Sequence, residues 1–524
     1  MRFKELSLRE KVYRTIILNV KRMKWDGTLK EFFDKYPAGG IYYSKGPAEG
    51  LIEIVEGEAT TRQDFIKRCK EVSRFPLLIC ADGATIGDDG RRPSGAEALG
   101  ATESKELAYD YGKALGMQMN HNGVDWIFGP SIDLSLSRHV ETICPMMSDD
   151  AEYSAEMYRE VVRGIQEQNV AATVKHFPGI GTHHVNMHVS AGHNTLPFDE
   201  WMETYGYLYK EMFRAGVMSV MTSHITLKSY SDRIDYGYEP VATFSKDITI
   251  GLLKERLGFD GVVVTDALYM GGSSVENQIE DAVAAFACGA DLLLWPPIEA
   301  GDRIVEEIEA GRIPMSRLDD AIDRIERFMD RLGIDGGERV RPLADAKFVD
   351  STFENVFRSG LSLVRNEYGI LPLGKKDNRI LIDLIAPEGK GYSAKLKAAE
   401  ELRDRLRLEG FEVDLKEKFV MFIERDLKRA LNDYDRVIVL IDTPFAIGFT
   451  DCFNSAWTVH LIPKEKRILL NFSSPYFIDD YYPDVKTFVQ VNSPIKSEII
   501  PALCDAILGN IQFKGKLKMN SIKI

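Results

Sequence analysis

The chain has 524 residues, 44% of them hydrophobic, with a formal net charge of -14 and a pI near 5.3. Its acidic residues are spread along the sequence and no lysine or arginine block forms a phosphate-tracking stripe, so nucleic acid is excluded as an expected partner. The length accommodates two to four domains at about 150 residues each, and two is the expectation because barrels run large.

The N-terminal stretch MRFKELSLREKVYRTIILNVKRMK holds an apolar run too short to span a bilayer and no signal-peptide cleavage pattern, which predicts a soluble, cytoplasmic protein with no membrane partner. Short apolar runs rich in β-branched residues then recur: 13–20, 38–44, 75–82, 124–130, 170–177, 216–224, 261–266 and 289–296. Between many of them lie stretches with helical spacing, such as 150–168 and 245–258, the second opening on Ser245 as a cap. Eight runs alternating with helices predict an α/β fold with an N-terminal (β/α)8 TIM-type barrel over 1–335, ending in a helical tail at 316–332.

The periodicity fades over 333–350, and 336–352 reads as a linker. Strand signals restart at 379–387, 436–442, 467–474 and 487–493, with a helical pattern at 393–410. This predicts a smaller C-terminal α/β sandwich domain over 353–524. Cys69, Cys80, Cys144, Cys288, Cys452 and Cys504 lie far apart without CxxC spacing, so neither a disulfide framework nor a thiolate zinc site is expected.

Catalytic groups of such barrels sit at the C-terminal ends of strands. The polar residues there are Asp82, Lys175 with His176, His224 and Asp266, each placed where a charge is costly without a partner or ligand, and their convergence at one barrel face predicts a binding site for a polar molecule with His224 among its substrate-binding residues. Taken singly, each reads equally well as a structural ion pair or hydrogen bond; Asp266 in VVVTDALYMGG is a nucleophile, base, metal ligand or helix cap. After KHFPG the segment GIGTHHVNMHVSAGHN places His183, His184, His188 and His193 on a glycine-containing excursion over the barrel mouth. Imidazoles are good zinc ligands, and His224 with Asp266 would complete a site, but the chain has no HExxH and no HxH on its first strand, so no metal and no cofactor are expected.

The motifs KHFPGIGTHHVNMH (175–188), GVMSVMTSHI (216–225), LGFDGVVVTDALYM (257–270), AAFACGADLLLWP (284–296) and LSLVRNEYGILPL (361–373) together resemble family 3 glycoside hydrolases, especially the β-N-acetylglucosaminidase branch. The resemblance implies a retaining exo-β-glycosidase acting on a carbohydrate, most closely terminal N-acetyl-β-D-glucosaminides, with Asp266 as nucleophile and His188 as general acid/base. It also implies that Asp82, Lys175 and His176 bind sugar hydroxyls, and that phosphate is an alternative acceptor, as in a phosphorylase. Two carboxylate-like roles on either side of the scissile bond are what a retaining reaction needs, and a histidine titrates near neutrality.

Three departures fall on substrate-facing positions. Asn186 stands where the branch carries an aspartate behind the acid histidine; it orients the ring without supplying charge. Pro145 stands at the usual sugar-contacting arginine, with Arg138 in the same loop as a substitute. After Asp82 the chain reads GATIGDDGRR in place of the usual QEGG phrase. A catalytically impaired sugar-binding barrel is therefore a further reading. The sequence leaves oligomeric state open.

Overall fold

The computed structural model describes residues 3–19, 25, 27–42, 62–82, 95–137, 146–180, 185–273, 276–334, 341–374, 376–389, 391–417, 431–443, 457–480 and 483–522. They form two compact units. One comprises Met1–Pro93, Ala108–Val140 and Ala151–Val349; the other comprises Ser94–Leu107, Glu141–Asp150 and Asp350–Ile524.

The first unit contains eight parallel strands: β1 (Ile16–Asn19), β2 (Gly40–Tyr42), β3 (Leu78–Asp82), β4 (Trp126–Phe128), β5 (Ala171–Phe177), β6 (Ser219–Thr222), β7 (Val262–Thr265) and β8 (Leu293–Leu294). Each falls inside one of the eight apolar runs. They pair in sequence order from β1 to β7, and β8 pairs with β1 through Ile16–Leu293 and Ile17–Leu294. The ring closes where Thr265 N donates to Leu292 O at 3.1 Å and Asp291 N donates to Val263 O at 2.8 Å. Nearly every strand residue is buried, as expected for parallel strands covered on both faces.

Helices fill the connections, including Lys105–His121, Ala151–Gln166, Tyr205–Arg214, Gln278–Ala287 and Met315–Arg331. Two α-helices near the N-terminus, Leu8–Tyr13 and Leu29–Lys35, each start with a reciprocal capping box, Ser7 with Glu10 and Thr28 with Glu31. Ser245 also caps: its Oγ accepts from Ile248 N at 3.3 Å, where a wide-turned π-helix runs over Asp247–Arg256. Beyond the barrel helices, Arg341 lies in the segment that reads as a linker, yet its guanidinium donates to the carbonyls of Asn120 and Val124 and pairs with buried Asp125.

The second unit is a six-stranded sheet: β9 (Ser362–Asn366), β10 (Arg379–Ile385), β11 (Glu412–Glu417), β12 (Arg436–Ile441), β13 (Arg467–Asn471) and β14 (Thr487–Gln490), in the order β9-β14-β13-β12-β10-β11. β9 runs antiparallel to β14 and the other pairs are parallel. Alternation separates two cores: Ile380, Ile382, Ile438 and Leu470 face the helices Tyr392–Leu408 and Ile500–Leu508, while Leu381, Val437, Val439 and Leu469 face Tyr434, Ile462 and Ile478. The sheet is thus covered on both faces, an α/β sandwich. β9 and β11 escape the periodicity because they carry few buried residues, with burial confined mainly to Ser362 and Val413. Within this unit, Asp149 accepts from the backbone of Asn520 and Ser521, and Ser148 Oγ donates to Lys518 O.

Among the described residues no helix is long and apolar enough to cross a membrane. Cys69, Cys80, Cys288 and Cys504 are free and buried, and burial pushes the Cys288 thiol up to about 12.

The β7–β8 seam rests on a buried charge. Asp291 is fully buried; its Oδ2 accepts from Val263 N at 2.9 Å, and its Oδ1 accepts from Lys254 Nζ and Arg317 Nη2, each at 2.7 Å. Burial pushes the Lys254 amine down while Asp291 holds it up. Asp291→Ala leaves Lys254 and Arg317 with Asp320 as their remaining carboxylate and removes the acceptor of Val263 N; it is expected to cost about 3 kcal/mol, read as a lowered urea midpoint of unfolding, and an unchanged midpoint would contradict the seam's dependence on this carboxylate.

Candidate active site

All eight strands point the same way, so the residues that end them meet at one face. Asp266 directly follows β7. Its backbone N donates to Thr222 O at the end of β6 (2.8 Å), and its half-buried carboxylate accepts from Ala267 N through Oδ1 (2.8 Å). It does not cap a helix: the next described helix begins at Gln278, with Asn277 as its cap.

Lys175 and His176 lie near the end of β5, where the pairing with β6 becomes irregular between Val174 and Phe177. Their side chains take different partners. Lys175 Nζ reaches across to Asp82 Oδ1, at the end of β3, at 2.8 Å. His176 Nδ1 meets Asp133 Oδ2 at 2.7 Å, and the same carboxylate accepts from His176 N, Ser131 Oγ and Ile180 N. Four donors on a carboxylate that is only 1% exposed fix the imidazole's tautomer, with the proton on Nδ1 and Nε2 turned away from Asp133. Asp133 was not among the residues singled out from sequence. Its signal was there: a lone acid in the apolar phrase SIDLSL, just after β4.

His188 sits in a tight turn. Asn186 Oδ1 accepts both the backbone N of His188 (3.0 Å) and its ring Nδ1 (2.7 Å), while Asn186 O accepts from Val189 N and Ser190 N. The backbone donor identifies the amide atom as oxygen, so Nδ1 must carry the proton and Nε2 is the nitrogen left for chemistry. The turn is tied to the loop that follows Asp266: Gly271 N donates to His188 O at 2.9 Å and Gly272 N to Met187 O at 3.0 Å.

His224 is fully buried, and both ring nitrogens are engaged by the protein: Nδ1 accepts from Thr243 Oγ1 at 3.0 Å and Nε2 donates to Ala267 O at 3.2 Å. Burial pushes its pKa down, the Asp266 carboxylate and the Ala267 carbonyl push it up, and electrostatic interaction with His188 and His176 pushes it down. His224 therefore lies within electrostatic reach of all three. It presents no free nitrogen to a sugar or a metal in this arrangement.

An aromatic group lines the same face. Tyr42, ending β2, stacks on Phe128 of β4 (5.9 Å, 8°) and meets Trp295 edge-on (4.6 Å); Trp295 stacks on Tyr269 of the Asp266 loop (5.1 Å, 17°). Burial raises the Tyr42 hydroxyl's pKa, and the charge of Asp82 adds to it. His193 joins a short strand: Gly192–His193 pairs in parallel with Ile225–Thr226, and its Nδ1 meets Thr226 Oγ1 at 2.9 Å. Arg138, Pro145, His183 and His184 lie outside the described residues, as does the segment after Asp82.

A model described as glycosyl hydrolase family 3 N terminal domain matches residues 7–328. A β-N-acetylglucosaminidase/β-glucosidase of Cellulomonas fimi is 27% identical over 516 residues, 90% of this chain and 89% of that protein. A β-hexosaminidase A of Pseudoalteromonas piscicida is 24% identical over 399 residues, covering 69% of this chain and 64% of that protein. Among solved structures, a β-glucoside phosphorylase superposes with TM-score 0.83 at 24% identity over 99% of this chain and 95% of its own. A family 3 β-N-acetylglucosaminidase from Paenibacillus sp. gives TM-score 0.79 at 24% identity, over 98% and 99%. These last two likenesses establish the two-domain fold, and the family match over more than half the residues establishes membership: the chain belongs to glycosyl hydrolase family 3.

Proposed function

We propose that this chain is a retaining exo-β-glycosidase that removes a terminal β-linked sugar, with N-acetyl-β-D-glucosaminides as the preferred substrates. The observation that carries the proposal is a carboxylate at the end of β7 whose own loop is hydrogen-bonded to a histidine with its Nδ1 proton fixed by Asn186. The names of the Cellulomonas fimi and Pseudoalteromonas piscicida relatives, a β-N-acetylglucosaminidase/β-glucosidase and a β-hexosaminidase, support the choice of sugar.

In this reading Asp266 attacks the anomeric carbon as the glycosidic bond breaks, and the leaving oxygen takes the proton from His188 Nε2. The glycosyl-enzyme is then opened by water, whose proton returns to Nε2. Lys175 and Asp82, paired to each other, meet sugar hydroxyls, and His176 donates or accepts there through Nε2, with Asp133 holding the ring. His224 acts behind the site by gripping the Asp266 loop through Ala267 O. The reading leaves the protein without a cofactor.

A second reading is favoured by Asn186. An amide orients His188 without adding negative charge beside the incoming acceptor, so an anion meets no carboxylate there. The chain would then pass the glycosyl group to phosphate, the activity that the name of the structurally similar β-glucoside phosphorylase carries.

Asp266→Ala is expected to abolish turnover of a nitrophenyl β-N-acetylglucosaminide, and His188→Ala to slow alkyl glycosides by roughly 100-fold or more while sparing good leaving groups in the first step. Full activity in the Asp266 variant would overturn the assignment. Incubation with and without inorganic phosphate separates the acceptors, since sugar 1-phosphate forms only in phosphorolysis. Asn186→Asp places a charge that favours the imidazolium, so the alkaline limb of kcat/KM should move to higher pH. In the same variant any phosphate-dependent turnover should fall, measured as the initial rate of sugar 1-phosphate formation.

A further inference from the structure

The segment after KHFPG reads from sequence as an independent excursion over the barrel mouth, but its described part is stitched down at both ends of the 186–194 turn. At one end, Gly192 N donates to His224 O and Asn194 N to Thr226 O, each at 2.9 Å, so the loop continues as a short strand beside Ile225–Thr226. At the other, Gly271 N and Gly272 N donate to His188 O and Met187 O. Met187 is 1% exposed and its sulfur accepts from Ser223 Oγ at 2.8 Å, whereas Val189, two residues on, is 76% exposed. The turn is thus anchored beneath and open above.

The two glycines make this approach possible. A Cβ at Gly271 would lie 2.3 Å from Val189 O, and one at Gly272 would lie 2.5 Å from Met187 O and 2.9 Å from the Cβ of His224. Neither glycine needs a left-handed backbone; what each provides is room for another peptide plane. Gly271 stands five residues after Asp266, and the intervening turn is itself tied down where Met270 N donates to Ala267 O and Leu268 N to Leu294 O.

We infer that Gly271 and Gly272 are positioning residues that latch the His188 turn to the Asp266 loop, so that proton donor and nucleophile are held as one unit and the histidine is not delivered by a separately moving lid. The inference rests on the acid/base reading of His188. It explains how a histidine backed by a neutral amide is kept aimed: Asn186 sets the rotation of the ring, and the latch sets its place. A fixed donor loses no alignment to loop motion in either half of the reaction, and alignment errors of about 1 Å are costly in such steps.

Gly271→Ala is the first test, because its new methyl group meets a carbonyl in an exposed part of the turn, which can move outward without disturbing the barrel core. Gly272→Ala repeats the test from the buried side. The probes are a nitrophenyl β-N-acetylglucosaminide, whose departure needs little acid, and the methyl β-N-acetylglucosaminide, whose departure needs much. Expected for Gly271→Ala is a kcat loss of about tenfold or more on the methyl glycoside, a much smaller loss on the nitrophenyl glycoside in the glycosylation step, and KM changed little. Added to His188→Ala, the substitution should cost nothing further on the methyl glycoside, since the group it misplaces is already gone.

Equal losses on both probes, or an additive loss in the double variant, would overturn the latch and leave the glycines as packing residues. Should Gly272→Ala fail to fold, the pattern in Gly271→Ala decides alone, and its thermal midpoint guards against general damage. If His188→Ala itself shows no leaving-group dependence, the acid/base reading falls and takes the latch with it; a leaving-group dependence in His188→Ala that is absent from Gly271→Ala removes the latch only.

Discussion

Asp82, Lys175, His176 and Asp266 all lie at the ends of short parallel strands, and those ends meet because the backbone of β7 closes on β8. The closure is narrow: β8 contributes Leu293 and Leu294 to the sheet, and Thr265, Val263 and Asp291 carry the remaining bonds. Asp266 begins where β7 stops, so its place is set by the same hydrogen bonds. Buried carboxylates at the opposite ends of the strands are matched by cations: Asp291 by Lys254 and Arg317, and Asp125 by Lys70 and Arg341.

The site is supported by side chains that a substrate need not touch. Asp133 spends its whole carboxylate on holding His176 and the turn beneath it, and His224 spends both ring nitrogens on Thr243 and the Asp266 loop. Burial, the largest influence on His224, pushes its pKa down, which suits a group whose two partners are a hydroxyl and a carbonyl. Asn186 does for His188 what Asp133 does for His176, with one difference. The amide fixes the tautomer and leaves the ring without a counter-charge, so the two histidines of the site are oriented alike and electrostatically unlike.

The second unit draws in two stretches that lie between barrel strands in the sequence, 94–107 and 141–150. Periodicity misses this, because a short segment that joins another unit carries no pattern of its own. The same limit hides β9 and β11, whose exposed edges of the sheet lack the apolar runs that betray β10, β12 and β13.

The sequence by itself determined the eight barrel strands, the sandwich with its four strongest strands, and the family, because buried parallel strands must be apolar and the motifs around Lys175, His224 and Asp266 are specific in combination. It also exposed Asn186 as a departure, since one residue sits at a fixed distance from His188 along the chain. Only the tertiary structure decided that His176 leans on Asp133, that His224 turns both nitrogens inward, that His193 joins a strand, and that Gly271 and Gly272 touch the His188 turn. Those partners lie 43, 19, 33 and about 85 residues apart. Local pattern reports which face of an element is buried, whereas the hydrogen-bond partner of a polar atom depends on which distant peptide the closed barrel brings within 3 Å of it.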